Sequence, residues 1–131
     1  MIIKEIEGMT KQLTNLEMFN YISNISQELM QKVTGKVAYA LAYNLRKMQD
    51  ELKEYMDFRN ELITKYSKEL EDGRFGIDIK SIEYQEFIKE LAQYDNIVHV
   101  IELISIVPED IYSTELNADD IFTINFMIGD V

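Results

Sequence analysis

Few side chains in this sequence are of kinds that perform chemistry, and their spacing narrows the choice further. There is one histidine, His99, and no cysteine. Thiolate catalysis, disulfides and cysteine–zinc sites are therefore excluded, and one histidine cannot make a two-histidine metal site within one chain. His99 stands three residues before Glu102, a combination suited to proton transfer if the two side chains met. In a strand they point to opposite faces, so a structural or surface histidine is expected. Asp72, Asp78 and Glu83 do not have the spacing of a calcium-binding EF-hand loop, and Gly73 and Gly76 do not form a phosphate-binding loop. With no recognisable nucleophile either, the expectation is a protein that is not an enzyme, with no catalytic residue, no cofactor and no metal.

The remaining candidates suit binding. Arg59 falls in the middle of an apolar helical stripe. A guanidinium there must be paired or must reach solvent, because an unpaired buried charge is strongly destabilising. It is expected either to bridge to an acid of another element or to face a ligand or partner in a groove. Tyr39 and Tyr43 lie one turn apart, opposite that stripe. Either the acidic C-terminal portion covers them, or they are aromatic anchors for a partner.

Acid is unevenly spread. The chain has 13 Lys and Arg against 24 Asp and Glu, for a net charge of −11. Residues 71–131 hold 14 acids and 3 bases, which accounts for all of that charge. Such a balance argues against nucleic-acid binding, which needs a basic face. Glu109, Asp110, Asp119 and Asp120 stand out in this portion. They form either a solvated face or a surface that attracts a basic protein. Asp119 and Asp120 also suit the positive end of a helix dipole.

The elements that must position these residues are long, because one proline and five glycines leave little punctuation. At 131 residues and 47% hydrophobic composition, the chain makes one globular domain, 1–131. Thr14 and Glu17 form a capping box, and Leu13 with Met18 a hydrophobic staple, so a helix starts here. It runs on through Ile22, Ile25 and Leu29. Residues 2–6 suit a short edge strand. A second helix is expected over 36–70, with the stripe Val37, Leu41, Leu45, Met48, Leu52, Tyr55, Leu62, Tyr66 and Leu70. From Val37 to Tyr43 it is apolar on every side, which suggests a segment sandwiched between layers. Ala38 and Ala42 would allow close approach of another element.

Asp72-Gly73 signals a turn, with Phe75, Ile77 and Ile79 alternating after it as in a hairpin or extended loop. Ser81 can cap a helix over 82–94. Residues 97–107 are rich in β-branched types and read as a strand, or as a buried helical segment, ended by Pro108. Asn117 caps a last helix over 118–128. No apolar stretch approaches the roughly 20 residues of a membrane span, and residues 1–10 lack the pattern of a signal peptide. A soluble, cytoplasmic protein is expected.

The run from Lys36 through Ala42, Tyr43 and Met48, continuing over Glu51, Leu52 and Tyr55 to Arg59, Leu62, Ile63 and Tyr66, resembles the centre of a family of small phage proteins. That family is catalogued as domain of unknown function 1617. The run Val98 to Ile101 and the closing segment from Leu116 to Phe122, with Phe126 to Ile128, fit the same pattern. The resemblance implies a phage or prophage origin and brings no activity and no catalytic residues.

The fold expected is α+β and mainly helical, with a long antiparallel helix pair and a small antiparallel sheet. The long helix would pack on the first helix, and the sheet would gather the N-terminal segment, the 74–79 region and residues 97–107. The function expected is a phage-encoded protein-binding module, in its concrete form an acidic inhibitor of a basic host defence protein. The alternative is a structural or assembly protein of phage morphogenesis, with homo-oligomer contacts through the stripe or Tyr39 and Tyr43.

Overall fold

The computed structural model describes residues 7–129. The strand expected over 2–6 lies outside them. The fold is α+β and mainly helical, with two small antiparallel sheets. Strand β1 (Glu7–Thr14) pairs along its whole length with β4 (Val98–Ser105), from Glu7 opposite Ser105 to Thr14 opposite Val98. Residues 97–107 are thus a strand, as their β-branched content favours.

The capping box forms as expected: the Thr14 hydroxyl accepts from the Glu17 amide at 3.0 Å, and the Glu17 carboxylate accepts from the Thr14 amide at 2.9 Å. Leu13 and Met18 are both buried. Helix α1 (Asn15–Asn24) stops earlier than expected. Ile25 is extended, and the Ser26 hydroxyl caps a separate short helix, α2 (Gln27–Gln31), by accepting from the Leu29 amide at 3.1 Å. A serine that offers an N-cap competes with helix continuation, and here it wins.

The single long helix expected over 36–70 is two. Helix α3 (Gly35–Glu51) and helix α4 (Lys53–Tyr66) meet at the buried Leu52. No proline or glycine lies at the junction. The two halves have different partners: α3 lies on β4, and α4 lies on α5 (Ile82–Asp95). The antiparallel helix pair is α4 with α5. The Tyr55 hydroxyl donates to Asp95, Lys65 pairs with Glu90 at 3.0 Å, and Lys68, just past α4, pairs with Glu83 at 2.8 Å. Residues late in α4 therefore meet residues early in α5. Helix α1 packs across the α3–α4 junction, with Phe19 edge-on to Tyr55.

The 74–79 region does not join the main sheet. Strands β2 (Lys68–Glu69) and β3 (Phe75–Gly76) form their own two-stranded ribbon, turned by Asp72 and Gly73. Gly73 has φ +83°, a conformation that glycine adopts without the steric cost of a Cβ. Pro108 does more than end β4: it opens the short helix α6 (Pro108–Ile111). The last helix, α7 (Ala118–Thr123), is shorter than expected and gives way to a tight turn over Asn125–Met127. The chain then returns to the end of β4. The Ile106 amide donates to the Met127 carbonyl at 2.7 Å, and the Gly129 amide donates to the Ile106 carbonyl at 3.0 Å. The core is built chiefly from β1, α1, α3, α4, α5, β4 and the turn over Asn125–Met127, and Met18, Leu41, Met48, Leu52, Ile101, Leu103, Ile124 and Met127 are fully buried in it.

Candidate functional site

The tyrosine face comes first. Val37, Ala40 and Leu41 turn inward, while Tyr39 is 57% and Tyr43 38% exposed. Their rings lie 6.5 Å apart, 21° from parallel. The expected sandwich over Val37–Tyr43 is thus corrected: this part of α3 has one buried and one open side, and Ala42 is exposed. The C-terminal portion reaches α3 through α6 but leaves both rings exposed. Beside Tyr39 is a cavity of about 340 Å³ with an apolar floor of Val37, Ile104, Ile106 and Val107, and with Lys36 and Asp110 in its walls.

The four acids separate by role. Asp120 is structural: its carboxylate accepts from Lys32 Nζ at 2.8 Å and from the Asn117 amide at 3.1 Å. Those bonds, the lysine's first, hold it below the usual carboxylate range. Asp119 is exposed beside it on α7. Glu109 and Asp110 occupy the first turn of α6, Glu109 exposed and Asp110 half-buried. Neither makes an ion pair among the described residues. Arg59 does not bridge to an acid of another element: it makes no ion pair among the described residues, and its guanidinium lies over the Phe19 ring, 4.9 Å from the centroid. A cation over an aromatic face keeps the helical stripe apolar while the charge remains half-solvated.

A second site surrounds His99. Its side chain faces inward, whereas Glu102 is on the outer sheet face and accepts from the Thr10 hydroxyl of the neighbouring strand. His99 Nε2 is 2.8 Å from Asn15 Oδ1, and Nδ1 is 3.0 Å from Glu51 Oε2. Asn15 donates its amide to the Tyr94 carbonyl at 2.9 Å, which turns its oxygen toward the ring. A carboxylate also only accepts. The ring is thus held between the Asn15 oxygen and the Glu51 carboxylate. The network ties β4 to the start of α1 and the end of α3. Next to it, the Tyr55 hydroxyl donates to Asp95 at 2.6 Å. Burial, and then this bond, raise the Tyr55 phenol well above its ordinary value.

Asn44 does comparable work in the middle of α3. It is fully buried, donates to the Ile104 carbonyl at 2.9 Å and accepts from the Ile104 amide at 2.7 Å. It thus satisfies backbone groups of β4 that no strand pairs. Asn44 carries a sequence signal, as the polar residue in the apolar run from Val37 to Leu45. Asn15, Glu51 and Asp95 carry none, because only the tertiary fold gives them their partners.

Comparison with family models, with curated proteins and with solved structures finds no match. Among the described residues no helix is long and apolar enough to cross a membrane, and no three His, Cys, Asp or Glu side chains are grouped to hold a metal ion.

Proposed function

We propose that this protein is a non-catalytic, phage-encoded binding module that docks through its tyrosine face onto a basic partner protein. One observation carries the reading: of two stacked, exposed tyrosines Tyr39 borders an apolar cavity, with Lys36 and Asp110 in its wall and Glu109 adjacent in sequence. Aromatic anchors beside a pocket are the usual centre of a protein interface, and a rim of acid selects a basic partner and speeds its approach. The net charge of −11 adds long-range attraction for such a surface. The phage origin rests on the helical motifs quoted above. A host defence protein, such as a nuclease with a basic groove, is the partner class that these features fit.

The test is affinity capture from a phage-infected host, followed by titration of the purified partner. Tyr39→Ala is expected to weaken binding by about tenfold or more, the scale of a hot-spot residue. Double reversal of Glu109 and Asp110 to lysine is expected to slow association and remove its salt dependence. Unchanged affinity in both variants would refute the docking face. Capture of phage assembly proteins alone would favour the morphogenesis reading, in which the same tyrosines serve a structural contact.

A further inference from the structure

We propose that the crevice between α1, α4, α5 and β4 is a binding site for a small organic ammonium ion. This goes beyond the docking reading and does not depend on it, since the crevice and the tyrosine face are lined by different residues. The crevice encloses about 340 Å³, and its walls include Tyr55, Phe58 and Tyr94 together with Glu51 and Glu54. A cation is attracted by the quadrupole of an aromatic ring, and of the three rings Phe58 and Tyr94 are only partly buried. Phe58 and Tyr94 meet at 50° with centroids 4.1 Å apart, which makes a rigid aromatic corner. Tyr55 is held by its bond to Asp95 and by burial.

The polar lining points to the same ligand charge. No lysine or arginine lines the crevice. Arg59, next in sequence to Phe58, is turned to Phe19 instead. Glu51 uses Oε2 on His99 and keeps Oε1 free for another donor. Glu54 is exposed and makes no ion pair among the described residues. His99 contributes a wall whose two nitrogens are already engaged. A bare metal ion would need three converging carboxylate or imidazole ligands, and none converge among the described residues. A bulky cation that spreads its charge over carbon fits aromatic walls and two carboxylates better.

The experiment is an NMR titration of the full chain with choline at constant ionic strength, read at the ring signals of Phe58, Tyr94 and His99. Parallel titrations use 3,3-dimethyl-1-butanol, the uncharged analogue of choline, and sodium chloride. A further arm uses N-acetyl-lysine methylamide, to separate a free ammonium compound from a basic side chain as the source. Saturable shifts with choline or the lysine derivative are expected, at least tenfold weaker with the neutral analogue. Glu54→Gln, at an exposed position, should fold normally and weaken binding several-fold. Phe58→Leu, which keeps an apolar side chain, should weaken it by about tenfold. Shifts that grow linearly with ligand, equal shifts with sodium, or equal affinity for the neutral analogue would overturn the proposal.

Discussion

The two ends of β4 contrast with the acidic segment that follows it. Along β4, α3 places a buried Asn44 on the Ile104 backbone, and His99 is held between Asn15 and Glu51. Each of those side chains has a partner, and Ile101 and Leu103 between them on β4 are core. Helices α6 and α7 have no fully buried residue, and Tyr112 and Phe122 are each more than four-fifths exposed. The negative charge is concentrated where packing is thinnest. Acids there cost little, since solvent screens them, whereas in the β4 region each would need its own partner. The polar groups that packing encloses and the acids left to solvent thus lie in different parts of one small chain.

Substitutions that respect or violate this division should differ sharply. Asn44→Leu leaves the Ile104 amide and carbonyl without partners in the core, and we expect it to lower unfolding stability by about 3 kcal/mol in urea titration. His99→Ala strips two contacts and leaves the buried Asn15 oxygen unmet, for an expected loss of about 1–2 kcal/mol by thermal unfolding. Tyr55→Phe removes one hydrogen bond, worth about 1 kcal/mol. It also alters the alkaline limb. The folded phenol is raised above its unfolded value, so its contribution is intact below about pH 10 and falls as pH climbs toward the folded value. The phenylalanine variant should show a shallower loss above that pH.

Effects in the acidic segment should be smaller. Asp120 is depressed in the folded state, chiefly by its bond to Lys32. Its contribution is present above the unfolded carboxylate value of about 3.9 and is lost as pH falls through the folded one. Asp120→Asn should therefore lower Tm modestly at neutral pH and converge with the parent protein at low pH, which flattens the acid limb of a Tm–pH profile. Tyr39→Ala should leave stability within about 0.5 kcal/mol, as at an exposed site, even as it weakens docking. A large stability loss there would show that the ring belongs to the packing of α3 and is not an open face.

Local chemistry made much of the fold legible. The Thr14, Ser81 and Asn117 caps each accept the amide expected of them, because capping depends on three or four consecutive residues. The Asp72-Gly73 turn and the strand character of 97–107 are equally local. The breaks at Ile25 and Leu52 were not legible. The apolar period runs through both, and only the change of partner from β4 to α5 divides the long stripe. The main sheet does join the N-terminal portion, through residues 7–14, to 97–107, but the 74–79 region was misassigned to it, because that region pairs with residues just before it. Of the candidate site, Tyr39 and Tyr43 were visible as a pair without a known cover. The His99 network was not, since its members come from three separate elements.

The pairing of β1 also sets an order of assembly. Thr10 meets Glu102 across 92 residues, and the end of β4 then takes up the returning chain at Ile106. The α4–α5 hairpin, in contrast, closes over a short connection. Loop closure disfavours distant contacts until nearer ones have shortened the path. Folding should therefore begin in that helical hairpin, and β4 should be the place where both ends of the chain are finally captured.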